Sequence, residues 1–262
     1  PVYERHEIVN NTHVVEGLRA KGAVFVGEVD QIPRGATTIF SAHGVSRTVE
    51  AAAAARGLDV IDATCPLVQK VHNQGRRYAQ LGYDVVLIGH EGHAEVEGTR
   101  GQIPGRLHVI ATAAEVADLV VIDESKVAYV SQTTLSVQDT REVIAALSAR
   151  FPAIVGPDTR NICYATQNRQ AAVQAMAPLC DLILVIGSRS SSNSSRLREV
   201  GQTAGVDSHL IEGPEAIDPA WFDAVDTVGF TAGASAPEQL IQDTIDPLRA
   251  LRTVSVRERD GT

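Results

Sequence analysis

No apolar run in this chain approaches the ~18–20 residues that a membrane span requires. The longest, around DLILVIG, is strand-sized, and no stretch has the layout of a signal peptide. Three cysteines in 262 residues are too few for a disulfide framework. None of them forms a C-x-x-C pair, which disfavours a zinc ribbon. A reducing, cytoplasmic setting is the expectation. The net charge of −9 argues against nucleic-acid binding through the surface as a whole. There is no G-x-x-x-x-G-K-[ST] loop and no convincing dinucleotide fingerprint. What is there is ordinary for a globular protein, 44% hydrophobic and 21% charged. The length suits one large or two or three small domains. Because the chain opens on Pro1 rather than Met, a processed, trimmed or partial chain is expected.

Within that composition two stretches share a layout. DATCPLVQKVHNQGRRYAQLGYDVVLIGHEGHAEVEG carries a cysteine, a helix, a buried strand and then a polar segment. RNICYATQNRQAAVQAMAPLCDLILVIGSRSSSNSSRL repeats the plan. Cys65 to Gly89 and Cys163 to Gly187 are both 24 residues, and the two copies are offset by 98. A capping pattern S-x-x-[DE] at Ser136/Asp139 recurs at Ser235/Glu238 with an offset of 99. Agreement among these offsets indicates an internal repeat of nearly 100 residues. The first 60 or so residues match only its back half, with SAHGVS under SQTTLS at an offset of 90. The repeat therefore places a third cysteine roughly 20 to 25 residues before Pro1.

Strands and helices alternate throughout. LDVIDAT hands over at Cys65 to a helix with Pro66 at its first position, where the missing N–H costs nothing. Ser46 and Ser136 are expected to cap helices, and Ser235 to open the last one. HEGHAEVEG reads as a loop, and SRSSSNSS as a second loop before a helix from about Arg196. The tail TVSVRERDGT reads as the start of a strand. This alternation implies parallel sheets covered on both faces. Ligands then bind beyond the carboxyl ends of strands, where Cys65, Cys163, His43, Thr133 and both polar loops lie. The repeat divides the chain into residues 1–64, 65–160 and 161–250, with 251–262 as a tail.

Cysteines at helix N-termini favour the thiolate, the metal-binding form. The plainer reading is two small buried side chains, which their matched places in two copies make less apt. Cys180 has no counterpart and reads as core. Three thiolates from three repeats suit an iron–sulfur cube with one iron left open to substrate. His90, His93 and Glu95 form H-x-x-H-x-E, a weak zinc pattern. Alternatively Glu95 is a proton donor whose pKa is raised by burial, or the segment is merely solvated. The serine-rich run at a helix start suits an anion cradle, to which His43 and Ser235 can add donors. A flexible linker is the alternative. On spacing alone, Thr133 and Thr134 read equally well as plain strand-end residues.

FSAHGVS, DATCPLV, GHEGHAEVEGT, SQTTLSV, NICYATQNRQ, GSRSSSNSSRL and TAGASAP together resemble one family, the 4-hydroxy-3-methylbut-2-enyl diphosphate reductases. The resemblance runs from the start of the chain to about residue 250. It implies a trefoil of three pseudo-threefold-related α/β domains with parallel-type sheets around a central cleft holding a 4Fe–4S cluster. It also implies reductive removal of an allylic hydroxyl, giving isopentenyl and dimethylallyl diphosphates, with electrons from ferredoxin or flavodoxin. By resemblance, Cys65 and Cys163 are two of three cluster ligands. Glu95 is the acid, Thr133 lies near the substrate hydroxyl and His93 beside it. His43, Ser191, Ser192, Asn193 and Ser235 match diphosphate-binding positions. No membrane or nucleic-acid partner is implied. Two features depart from the family pattern. The segment bearing the first cysteine is absent, so this chain alone is expected to hold the cluster poorly or not at all. Asn10 also stands where many members carry histidine; it can donate a hydrogen bond but adds no charge.

Overall fold

The computed structural model describes residues 1–7, 9–251 and 254–257. Ten strands among them form three sheets, all parallel. The first has the order β2 (Val24–Val26), β1 (Tyr3–Arg5), β3 (Thr37–Phe40), β4 (Asp59–Asp62). The second is β6 (Leu107–Ile110), β5 (Asp84–Ile88), β7 (Val127–Ser131). The third is β10 (Val228–Ala232), β8 (Leu182–Ile186), β9 (Asp207–Ile211). Each has one ground plan, in which the earliest strand is central and the next two flank it. The repeat in sequence is thus a repeat in topology. Even β4 has an echo, because Val155 makes a single parallel bridge to Ala128 beside β7.

The helices are α1 (Thr12–Ala20), α2 (Arg47–Ala55), α3 (Pro66–Gln80), α4 (Ala94–Gln102), α5 (Val137–Arg150), α6 (Tyr164–Met176), α7 (Ser192–Thr203) and α8 (Glu238–Leu251). None among the described residues is long and apolar enough to cross a membrane. The fold groups into two compact units. Residues 1–9 and 17–163 form one, holding the first and second sheets; residues 10–16 and 164–262 form the other, holding the third.

In the first unit, every residue of β5 and β7 is buried. Near-continuous apolar strands are what a parallel sheet with two covered faces requires. Val71, Val96 and Ile103 from α3, α4 and its C-cap pack on Val85, Leu87 and Val130. On the opposite face Val143, Leu147 and Phe151 pack on Val86, Ile88 and Tyr129. Burying side chains of this size contributes about 1.5–3 kcal/mol each. The first sheet is more thinly covered: its cluster is Val29, Phe40, Val45 and Ala53, and all of β4 is exposed. In the second unit Val173 of α6 and Leu197 of α7 cover Ile183 and Val185. Leu240 of α8 packs with Leu182, Leu184 and Ile186.

Several elements differ from the sequence expectation. HEGHAEVEG is not a loop throughout: α4 begins at Ala94 and includes Glu95. The serine run is likewise the first turn of α7, which starts at Ser192 rather than near Arg196. Ser46 and Ser136 do cap α2 and α5, accepting from the N–H groups of Val49 and Asp139. Ser235 instead donates its hydroxyl to the Asn10 carbonyl at 3.4 Å, and α8 starts at Glu238. Cys180 packs beside the Val173 cluster, as a core residue should. Of the tail read as a strand start, residues 254–257 are irregular, and the rest lies outside the described residues.

Candidate active site

The loop after β5 is short, and His93 ends it as the N-cap of α4. Its Nδ1 accepts the Glu95 N–H at 3.1 Å. A ring nitrogen that accepts carries no proton, so His93 is neutral here with its proton on Nε2. Burial pushes its pKa down to about 4, helped by nearby His43 and His90. The His43 ring stands edge-on to His93, with centroids 5.7 Å apart, and burial lowers its pKa too.

Two glycines bring these rings together. A Cβ on Gly98 of α4 would lie 2.9 Å from the Gly44 carbonyl oxygen, and one on Gly101 would overlap Ser46. Gly44 itself has φ +76°, a left-handed turn that glycine adopts without strain. The helix backbone therefore lies directly on the loop that carries His43.

Glu95, 2% exposed, sits in the first turn of α4. Its Oε1 accepts the Thr133 N–H at 2.7 Å and its Oε2 accepts the Thr133 hydroxyl at 2.8 Å. Burial pushes its pKa up to about 7, against the downward pull of both hydrogen bonds. A carboxyl so placed holds a proton near neutral pH and can release it, the property of a general acid. The Thr133 carbonyl in turn accepts the Cys163 N–H at 2.8 Å. One residue therefore ties the acid to a thiol-bearing segment.

Cys65 is held in the matching way. It is the N-cap of α3, and its N–H donates to the Ala42 carbonyl at 3.0 Å, next to His43. Both thiols are free and half-buried. Both are soft donors at repeat-related places, each pinned to the loop after the third strand of a sheet. This chemistry fits two ligands of an iron–sulfur cluster. Among the described residues no group of three or more His, Cys, Asp or Glu is assembled around a metal position. The H-x-x-H-x-E zinc reading fails on donor use. His90 is exposed, the His93 Nδ1 is engaged, and both Glu95 oxygens are taken by Thr133.

Gln132 is buried and was not singled out from sequence. Its Oε1 accepts the His90 N–H at 3.2 Å and its Nε2 donates to the Thr134 hydroxyl at 2.9 Å. It fixes the loop before α4 to the end of β7. Its place beside Thr133 in SQTTLS was the only available sign.

In the second unit, Ser191 caps α7 and accepts the Ser194 N–H at 3.3 Å. Asn193 is buried, yet neither its amide oxygen nor its nitrogen has a partner among the described residues. Buried polar groups are normally satisfied, so this amide has hydrogen-bonding capacity for a ligand. Gly187 and Gly233 leave room for Ser194, where any Cβ would collide with its side chain. The Ser188 hydroxyl and the Arg189 N–H both donate to Glu212 Oε1, at 2.9 and 3.1 Å, and steady the loop. Ser235 stays within reach of the same unit's 10–16 segment, its carbonyl accepting from Asn11 Nδ2 at 3.1 Å. Ser191, Ser192 and Asn193 thus stand at a helix start suited to an anion. Of the sequence-derived candidates, His43, Cys65, His93, Glu95, Thr133 and Cys163 belong to the first unit, and Ser191, Ser192, Asn193 and Ser235 to the second.

Known proteins resemble this chain along most of its length. The family model described as LytB protein matches residues 1–249. The 4-hydroxy-3-methylbut-2-enyl diphosphate reductase of Zymomonas mobilis is 58% identical over 261 residues, covering all of this chain and 77% of its own. Reductase 1 of Rhodopseudomonas palustris is also 58% identical, with 85% of its length covered. Among solved structures, the E-1-hydroxy-2-methyl-but-2-enyl-4-diphosphate reductase of Plasmodium falciparum superposes with a TM-score of 0.91 at 37% identity, over 95% of this chain and 78% of that one. A second structure, described as the terminal enzyme of the non-mevalonate pathway, gives 0.64 at 32% identity over 95% and 88%. The chain belongs to the LytB protein family.

Proposed function

We propose that this chain carries out the reductive dehydroxylation of (E)-4-hydroxy-3-methylbut-2-enyl diphosphate, the last step of the methylerythritol phosphate pathway. Two electrons and two protons remove the allylic hydroxyl as water and leave isopentenyl or dimethylallyl diphosphate. The observation that carries this reading is the buried Glu95, gripped through both oxygens by Thr133 and pushed up to about pKa 7. Hydroxide is a poor leaving group, and departure as water needs an acid at the oxygen.

Cys65 and Cys163 would hold two corners of a 4Fe–4S cluster, with the third cysteine expected before Pro1. When bound, the cluster supplies electrons and an open Lewis-acidic iron for the substrate oxygen. The rest falls to this chain's own groups. Glu95 holds the proton until the C–O bond breaks, and the Thr133 hydroxyl faces the same oxygen. Neutral His93 presents an Nε2–H donor, which its helix-capping bond fixes in place. His43 offers a hydrogen bond without adding charge, because burial keeps it neutral. Ser191, Ser192, Asn193 and Ser235 hold the diphosphate, so little ordering remains for the chemical step. The electrons come from ferredoxin or flavodoxin in the cytoplasm.

The test is Glu95→Gln in the chain extended by the cysteine-bearing leading segment. Loss of a general acid should lower kcat about 10²–10⁴-fold, with substrate affinity and iron content unchanged. A variant that turns over like the parent removes Glu95 from the mechanism.

A further inference from the structure

Residues 63–83 contain Lys70, Arg76 and Arg77 and not one Asp or Glu, in a chain of net charge −9. These residues are α3 and its flanks, and α3 starts at Cys65. Pro66, Lys70, Asn73 and Arg77 are all exposed and recur at helical spacing, so they form one solvent-facing stripe. A shallow groove runs along it, with Thr64 and Gln74 at its sides. Arg76 is half-buried and bonded to Gln102 and Asn73. Lys70 and Arg77 take part in no salt bridge among the described residues.

The turn before Cys163 extends this face. Residues Asp158–Asn161 pack against α3. Burial raises the pKa of Tyr78 on α3, while the positive charges of Arg77 and Arg160 pull it down, which sets both guanidiniums near that ring. Arg160 is exposed and three residues from Cys163. Lys70 lies about 7.5 Å along the helix axis from Cys65. The acids of the region stand at its margins. Asp158 is exposed in the same turn, and Asp62 is engaged by Thr64 and Gln69. The scaffold does not demand these charges. The counterpart helix α6 carries only Arg169, whose guanidinium is bonded to the carbonyls of Ala232 and Ala165.

An open basic face beside both thiol-bearing segments, on an otherwise acidic protein, suits a macromolecule of opposite charge. We propose that Lys70, Arg77 and Arg160 form the docking surface for an acidic one-electron carrier protein. The proposal rests on the reductase reading for its purpose. Each encounter passes one electron and leaves the carrier oxidised by one. Two encounters supply the pair that, with two protons, removes the hydroxyl as water. Complementary charge speeds such encounters and makes them salt-dependent.

The test uses an acidic flavodoxin as probe and the triple variant Lys70→Glu/Arg77→Glu/Arg160→Glu, with Lys70→Gln/Arg77→Gln as a milder check. Binding of oxidised flavodoxin to the chain is titrated at low and high salt. The extended, cluster-loaded chain is then reduced by flavodoxin hydroquinone and, separately, by dithionite in stopped flow. The expected result is a loss of about tenfold or more in binding and in the flavodoxin rate at low salt. The neutral variant should fall between, high salt should erase the differences, and dithionite rates and the cluster spectrum should be unchanged. Equal binding and equal flavodoxin rates in parent and variants would overturn the proposal, as would an equal fall in the dithionite rate. If the extended parent holds no cluster, the reductase reading fails, and the binding titration decides the docking surface by itself.

Discussion

Glu95 should leave a signature in folding stability. Its pKa is about 7 in the folded chain against an ordinary 4.5. The folded state therefore holds a proton that the unfolded state has released between those values. Stability contributed by the protonated carboxyl is fully present below 4.5 and is lost as pH rises through 7. A difference of about 2.5 pH units corresponds to about 3 kcal/mol. Most of it, about 2–3 kcal/mol, falls between pH 5 and 8.5. Glu95→Gln keeps the shape, and its amide can still meet the Thr133 N–H and hydroxyl, but it cannot ionise. Urea unfolding followed by far-ultraviolet circular dichroism at pH 5 and 8.5 measures the effect. Glu4 is also pushed up to about 7, by burial and by Glu7, so the quantity to read is the difference between variant and parent. That difference should move in the variant's favour by about 2–3 kcal/mol on going to pH 8.5. Parallel pH profiles would show that Glu95 is ionised in the folded protein at neutral pH, and the acid role would fall with it.

Two further substitutions separate stability from binding. Gly98→Ala forces a Cβ to within 2.9 Å of the Gly44 carbonyl oxygen. It should cost about 1–3 kcal/mol in urea unfolding and move the His43 and His93 ring signals in NMR spectra. Asn193→Ala removes a buried amide with no partner among the described residues. It should leave thermal stability unchanged or slightly higher, while diphosphate affinity, measured by calorimetry, falls about tenfold or more.

The parts of the fold built from apolar strands were legible because burial on both faces leaves near-continuous apolar runs in β5, β7 and β8. Pro66 marked the start of α3 by its tolerance for a missing donor. Helix α4 was not legible, and the reason is physical. AEVEGTRGQ has two glycines and little apolar surface, so local preference argues against a helix. Those glycines serve close packing on residues 44 and 46, which only the tertiary structure reveals. The serines opening α7 were similarly ambiguous, since serine suits both a loop and a helix cap. Residue types at the site were readable, but their pairing was not. Glu95 and Thr133 are 38 residues apart, and nothing local says that one threonine binds the acid on one side and Cys163 on the other.

The most direct test of the central claim is an anaerobic iron and sulfide assay with a visible spectrum. It is run on the chain extended by the leading segment and on its Cys65→Ser and Cys163→Ser variants. The account predicts a brown parent with about four irons and variants that lose most of that colour and iron. A parent that stays colourless after cluster reconstitution, or variants as brown as the parent, would contradict it.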